Sequence, residues 1–122
     1  MTSESTLFCQ INTLATGPAD TAKKHVPVIS VPDVVKAGQP FTVIIKVGEV
    51  PHGMENGHFI QFVDLYCGHI YISRVDFTAE LSKPEVSMSI VLHHAGKRPL
   101  RVFSRCNIHG IWEGTKEVNV TK

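Results

Sequence analysis

FTVIIKV, residues 41–47, is the strongest β-strand signal in the chain. Aromatic and β-branched residues favour strands, and only Thr42 and Lys46 interrupt the apolar run. The segment Ala37-Gly38-Gln39-Pro40 before it is typical of a turn. A nearly continuous apolar run of this length predicts a central strand that is buried on both faces.

Six other short segments share this character, being apolar, rich in β-branched residues and bounded by turn residues. They are residues 25–31, 59–66, 70–77, 86–92, 100–104 and 117–120. No segment of about ten residues keeps a 3.6-residue apolar period, so a long helix is not expected. About seven strands with turn signals about every 8–12 residues predict an all-β fold, an antiparallel sandwich or a barrel. Residues 1–21 are predicted to form an irregular or edge segment before the first strand.

Length and composition favour one domain spanning residues 1–122, because 122 residues suffice for a single core. Apolar residues make up 43% and charged residues 19%, which argues against disorder. A net charge of +1 gives no general attraction for nucleic acid, so any anion must be attracted locally. No apolar run of about 18 residues predicts a membrane span, and residues 1–10 do not resemble a secretory signal. Three widely spaced cysteines predict no disulfide framework and favour the reducing cytoplasm.

Four histidines and one cysteine form three short clusters that suggest one metal site. These candidate ligands are His25, His52, His58, Cys106 and His109. Gly53 and Gly57 allow the loop between His52 and His58 to fold back, and the Cys-x-x-His spacing lets both side chains reach one ion. Imidazole suits iron, copper and zinc, and a thiolate adds a soft donor. Five donors exceed the four of a structural zinc site and leave a sixth position open on an octahedral metal such as iron.

Two other readings of these donors stay open. A blue-copper electron carrier is also a β-sandwich, but it typically needs a weak axial Met soon after the last histidine, and none follows His109. An immunoglobulin-like domain with structural zinc would leave one donor unused. The remaining candidates, His69, His93, His94 and Cys67, are expected at the surface or in structural roles. Adjacent residues of a strand point to opposite faces, so His93 and His94 are not expected to grip one ion.

Three segments carry a family resemblance. Lys24-His25-Val26-Pro27, His52-Gly53-Met54 with His58-Phe59-Ile60, and Cys106-Asn107-Ile108-His109-Gly110-Ile111-Trp112 resemble the signature segments of one-iron superoxide reductases. These are the neelaredoxin type of the desulfoferrodoxin iron-domain family, and the resemblance covers about residues 22–120. The third segment, Cys-Asn-x-His-Gly-x-Trp, is the most specific. The two-iron desulfoferrodoxins carry an N-terminal domain with four cysteines, which is not expected here because only Cys9 lies in that region.

The resemblance implies an immunoglobulin-like antiparallel β-sandwich that reduces superoxide to hydrogen peroxide. It implies one non-haem iron per chain, cycling between Fe2+ and Fe3+. The four histidines would be equatorial ligands, Cys106 the axial thiolate, and the position opposite the sulfur would be open to substrate. A rubredoxin-like protein would supply electrons, and the chain would form a dimer or tetramer. Trp112 is expected to pack beneath the Cys-x-x-His turn.

Lys24 matches the family lysine beside the open position, where its charge would attract superoxide and could deliver a proton. One departure from the family concerns the residue before it. Many members have a glutamate there that can bind ferric iron as the sixth ligand, whereas this chain has Lys23. Lys23 would reinforce the positive field. A carboxylate from elsewhere, for which Glu55 is a candidate, could take the sixth position.

Overall fold

Two β-sheets and one short helix make up the computed structural model of the protein, which describes residues 7–122. The elements in chain order are helix α1 (Ala19–His25) and strands β1 (Pro27–Ser30), β2 (Val34–Lys36), β3 (Phe41–Val47), β4 (Ile60–Cys67), β5 (Ile70–Asp76), β6 (Glu85–Ile90), β7 (Gly96–Cys106) and β8 (Gly110–Thr121).

The sheets have three and five strands. The smaller has the order β1-β3-β6 and the larger β2-β8-β7-β4-β5, with β2 and β8 parallel and all other neighbours antiparallel. Apolar side chains of both sheets fill the space between them. The predicted all-β, immunoglobulin-like sandwich is confirmed. The strand missing from the prediction is β2, whose three residues are too few to show an alternating pattern.

Strand β3 is central in the small sheet, as predicted, but the prediction that both its faces are buried is wrong. Val43, Ile45 and Val47 are almost fully buried between the sheets. The alternate side chains point outward, and Ile44 is 39% exposed. Only one face of each sheet packs against the other, so an apolar outward residue stays in contact with solvent.

The hairpin of β7 and β8 is much longer than predicted. Its pairing runs without a break from Gly96 opposite Val120 to Cys106 opposite Gly110. Strand β7 already begins at Gly96, four residues before the predicted strand of residues 100–104. Both strands include polar stretches and stretches with Gly or Pro, which have weak strand propensity. These stretches are extended because their backbones pair with the neighbouring strand. Consequently Cys106 is the last residue of a well-anchored strand.

A second, smaller core lies between α1 and the large sheet. It contains Leu7, Ala22, Val26 and Trp112. Asn12 connects the segment before α1 to strand β8 through two backbone hydrogen bonds. Its N–H donates to the Ile111 carbonyl (2.9 Å), and its backbone carbonyl accepts from the Glu113 N–H (2.8 Å). Helix α1 has seven residues, and the described part of the chain holds no helix of the length and apolarity needed to cross a bilayer.

Candidate metal centre

His25 is the last residue of helix α1, not the first residue of a strand as predicted. The helix stops there because Val26 precedes Pro27 and is held extended (φ −70°, ψ 123°). His25 faces the interior and is 2% exposed, whereas Lys23 and Lys24 are exposed. Its Nδ1–H donates to the Thr21 carbonyl at 2.7 Å. That bond leaves Nε2 as the nitrogen directed away from the helix backbone.

Backbone hydrogen bonds attach the loop between β3 and β4 to the C-terminal end of this helix. Val50 N–H donates to Lys23 O (3.0 Å), and Gly48 N–H donates to Val26 O (3.2 Å). Gly48 has φ +91°, and a Cβ there would lie 2.6 Å from the Lys24 carbonyl oxygen. Only glycine permits this close approach. Gly48 therefore helps to shape the site, a role that was not predicted from the sequence.

His52 and His58 both lie in this loop and turn inward. His52 Nδ1–H donates to Gly53 O at 2.6 Å, and its Nε2 lies 3.1 Å from Nε2 of His25. Two nitrogens bound at right angles about 2.1 Å from one ion would be about 3 Å apart, so this separation fits shared ligation. Nε2 of His58 is buried and has no hydrogen-bond partner among the described residues. Such an orphaned buried nitrogen is costly unless it binds something.

Cys106 and His109 flank the turn between β7 and β8. Cys106 is fully buried, and its Sγ lies 3.6 Å from Nδ1 of His109. Gly110, with φ +80°, closes the turn. Trp112 packs beneath it as predicted, donating from Nε1 to the His109 carbonyl (3.0 Å) and stacking on His25 at 5.2 Å between ring centroids.

The four imidazole rings form a square. Going round in the order His25, His52, His58, His109, neighbouring ring centroids are 4.5, 4.8, 5.0 and 4.8 Å apart. The diagonal from His25 to His58 is 6.3 Å, close to that of a square with such sides. Neighbouring rings meet at 68° to 84° and the diagonal pair at 27°.

The donor atoms converge as the rings do. Nitrogens of His25, His58 and His109 and the sulfur of Cys106 all lie within 4.8 Å of one another. His52 adjoins this group through the 3.1 Å contact with His25. The structure thus brings together all five side chains that the sequence analysis singled out. They come from a helix end, a loop and a hairpin turn.

Burial keeps His25 and His52 in the form that binds metals. Desolvation lowers the pKa of His25 to about 4, against the opposing effect of the Thr21 hydrogen bond, and repulsion from the other three histidines adds to the shift. Desolvation also lowers the pKa of His52, and the charge of Lys24 contributes. Both rings are therefore neutral at pH 7, and neutral imidazole is the form that ligates.

The family model for desulfoferrodoxin matches residues 18–115. This chain belongs to the desulfoferrodoxin family. A Methanocaldococcus jannaschii relative is 44% identical over 115 residues, covering 93% of this chain and 97% of that protein. The superoxide reductase of Pyrococcus furiosus is 34% identical over 108 residues, covering 75% and 85%. The solved superoxide reductase (neelaredoxin) from Ignicoccus hospitalis superposes with a TM-score of 0.80 at 34% identity, covering 98% and 100%. The resemblance drawn from the three signature segments is confirmed.

The site of this desulfoferrodoxin-family chain fits a mononuclear iron with four His ligands and one Cys ligand. Neither alternative from the sequence fits as well. A blue-copper site uses two histidines, a cysteine and a distant methionine, but here four imidazoles surround one centre and Met54 packs against the main core. A tetrahedral zinc site would not use four rings arranged as a square.

Ser104 supports the site and was missed from the sequence. It is fully buried on β7, and its hydroxyl donates to the His25 carbonyl at 2.7 Å. The available signal was a polar residue at an inward position of an alternating strand, between Val102 and Cys106. Such a side chain needs a buried acceptor.

Proposed function

We propose that this protein is a superoxide reductase that converts superoxide to hydrogen peroxide at one iron ion per chain. The proposed ligands are His25, His52, His58, Cys106 and His109. The observation that carries the proposal is the square of four imidazoles with the Cys106 thiol beside it and an unpaired buried nitrogen on His58. Bound iron would supply the single electron that, together with two protons, reduces superoxide to hydrogen peroxide.

The protein's own residues would prepare the site for a small anion. Neutral imidazoles and one thiolate leave a ferrous centre with net positive charge. Cys106 is fully buried, whereas Lys23 and Lys24 are exposed on helix α1, directly before the proposed ligand His25. Lys23 and Lys24 would attract superoxide to the site, and Lys24, or a water that it holds, is the proposed source of a proton. Lys24 is therefore the catalytic residue of this proposal.

This chain has Lys23 at the position where many family members have a glutamate that can bind ferric iron. Glu55 is the proposed substitute, because it lies in the same loop as the histidines and its carbonyl accepts from the His58 N–H at 3.0 Å. Its side chain is exposed near Gly53, where Oε1 would be 3.8 Å from an added Cβ.

The setting of the reaction is also proposed, from the family. Continued turnover needs one electron per cycle, which a rubredoxin-like protein would deliver. We place the protein in the cytoplasm, with an antioxidant role, as a dimer or tetramer whose subunits each comprise one domain of residues 1–122.

Metal analysis combined with pulse radiolysis tests the proposal. We expect about one iron per chain, and one superoxide consumed and one peroxide formed for each ferrous site, with no dioxygen released. Zinc-loaded protein, which has no accessible redox couple, serves as the control and should not react. A native metal other than iron, or dioxygen release from paired superoxides, would overturn the assignment.

Lys24→Ala tests electrostatic capture. We expect the second-order rate constant with superoxide to fall about tenfold and its ionic-strength dependence to flatten, because the local field is weakened. Iron content should be unchanged. Lys36→Ala is the matched control, since Lys36 is exposed on β2 opposite Thr121, at the end of the sandwich away from the site. Equal rates for both variants would reject the role of Lys24.

A further inference from the structure

We propose that Asn107 is a positioning residue of the metal centre. Its amide side chain would hold the backbone on both sides of His58 and so keep that imidazole in register with the turn from Cys106 to His109. The inference rests on the proposed metal site.

Three hydrogen bonds connect Asn107 with the residues around His58. The Phe59 N–H donates to Asn107 Oδ1 at 2.9 Å, and Asn107 Nδ2 donates to the Gly57 carbonyl at 2.9 Å. The Asn107 N–H itself donates to Phe59 O at 3.2 Å. The side chain therefore contacts the residue before His58 and the residue after it. An amide is suited to this role because it has both a donor and an acceptor.

His58 needs this support more than two of its neighbours do. The rings of His25 and His52 are each oriented by an Nδ1–H bond to a backbone carbonyl. The ring of His58 makes no hydrogen bond to any described residue, and its Nε2 is unpaired. Its loop is exposed from Glu55 to Gly57, with Gly57 at φ +95°. Besides ring packing against His52 and His109, fixing the adjacent backbone is a way to aim this imidazole.

The bonds of Asn107 also reach outside its own turn. An asparagine that only shapes a turn bonds to backbone a few residues away. Here the side-chain partners lie 48 and 50 positions away in the sequence. Asn107 follows Cys106 directly, so one residue couples the loop that carries His58 to the strand end that carries the thiol.

Cobalt(II) binding provides a readout that does not depend on superoxide chemistry. We expect Asn107→Ala to weaken cobalt affinity about 10- to 100-fold, the usual loss when a ligand's supporting residue is removed. Asn56→Ala is the matched control: Asn56 is exposed in the same loop, its side chain has no hydrogen bond to a described residue, and less than about a twofold change is expected. Asn107→Asp, which keeps the acceptor for Phe59 N–H and loses the donor to Gly57, should show a smaller loss and covers the case in which the alanine variant does not fold.

A double-mutant cycle separates positioning from general destabilisation. If Asn107 acts through His58, the Asn107→Ala change should weaken cobalt affinity much less in a His58→Ala background than in the native protein. Equal losses in both backgrounds, or native affinity in both the Asn107→Ala and Asn107→Asp variants, would overturn the inference. Failure of the native chain to bind cobalt would overturn the metal site itself, whereas native binding with unaffected Asn107 variants would overturn only this inference.

Discussion

The two ends of the sandwich both carry histidine and cysteine, yet among residues 7–122 only one end forms a metal-ligating cluster. Strand β7 begins at one end, with Gly96, and finishes at the other with Cys106, while β4 runs the opposite way from Ile60 to Cys67. The end near Cys106 holds the metal centre. The far end has a cleft of about 700 Å³ whose lining includes Cys67, His69, His93 and His94.

Burial and direction distinguish the two ends. At the metal centre His25 and His52 are 2% and 6% exposed. At the far end His69, His93 and His94 are exposed. Within residues 7–122 the far-end residues do not form a group whose donor atoms share metal-binding distances. Residue type alone therefore does not make a site; what matters is that the backbone buries the side chains and turns them toward one point.

Exchanging sulfur for oxygen at each end should give the largest contrast. Cys106→Ser is expected to abolish the sulfur-to-iron charge-transfer band of the oxidised protein, because the proposed thiolate ligand is gone. Cys67→Ser should leave the band and the iron content unchanged. Visible absorption of both oxidised variants, with iron analysis, measures the difference.

The band decides which thiol binds iron. Its persistence in Cys106→Ser would place the thiolate ligand elsewhere in the chain. Its loss in Cys67→Ser would mean that the two ends are coupled, and the distinction between them would fail.

The candidate metal ligands could be predicted from the sequence more accurately than the backbone elements that position them. Each of two ligand pairs lies within one loop or turn, so its spacing can be read directly from the sequence. These pairs are His52 with His58 and Cys106 with His109. That His25 ends a helix was not predicted, since α1 has only seven residues and a strand-like segment follows it. The hydrogen bonds of Ser104 and Asn107 could not be predicted either, because their partners lie far away in the sequence.

The fold showed the same limit. The alternating and β-branched runs indicated a sandwich correctly. They could not show that Ile44 faces solvent, because an apolar outward residue looks the same in sequence as a buried one. Nor could they give the length of the β7–β8 hairpin, where pairing between strands overrides weak local propensity.

Acid should destabilise the metal-free protein through its buried end. The pKa of His25 is about 4 in the folded state against 6.5 normally, so between these values the unfolded chain binds more protons. Stability is therefore fully present above about pH 6.5 and is lost as the pH falls toward 4. At 1.36 kcal/mol per unit of pKa, His25 alone accounts for up to about 3 kcal/mol of unfolding free energy. Urea unfolding of the metal-free protein at several pH values measures it.

Histidine variants at each end of the sandwich test whether the loss of stability in acid comes from the buried His25 or from the exposed histidines. His25→Leu should reduce the pH dependence of stability below about pH 6.5. Replacing both His93 and His94 with glutamine should leave it unchanged, because these side chains are exposed. A flat stability profile for the native metal-free chain, or a profile that changes only in the far-end variant, would contradict the role assigned to burial.

The smallest effect concerns one inward and one outward hydroxyl. Ser104→Ala removes the bond to the His25 carbonyl and leaves that buried oxygen without this donor, which should lower the unfolding free energy by about 2 kcal/mol. Ser89→Ala on β6 removes an exposed hydroxyl and should change it by less than about 0.5 kcal/mol. Urea unfolding of the metal-free variants measures both. Equal stability of the two variants would show that the Ser104 bond does not hold the end of helix α1.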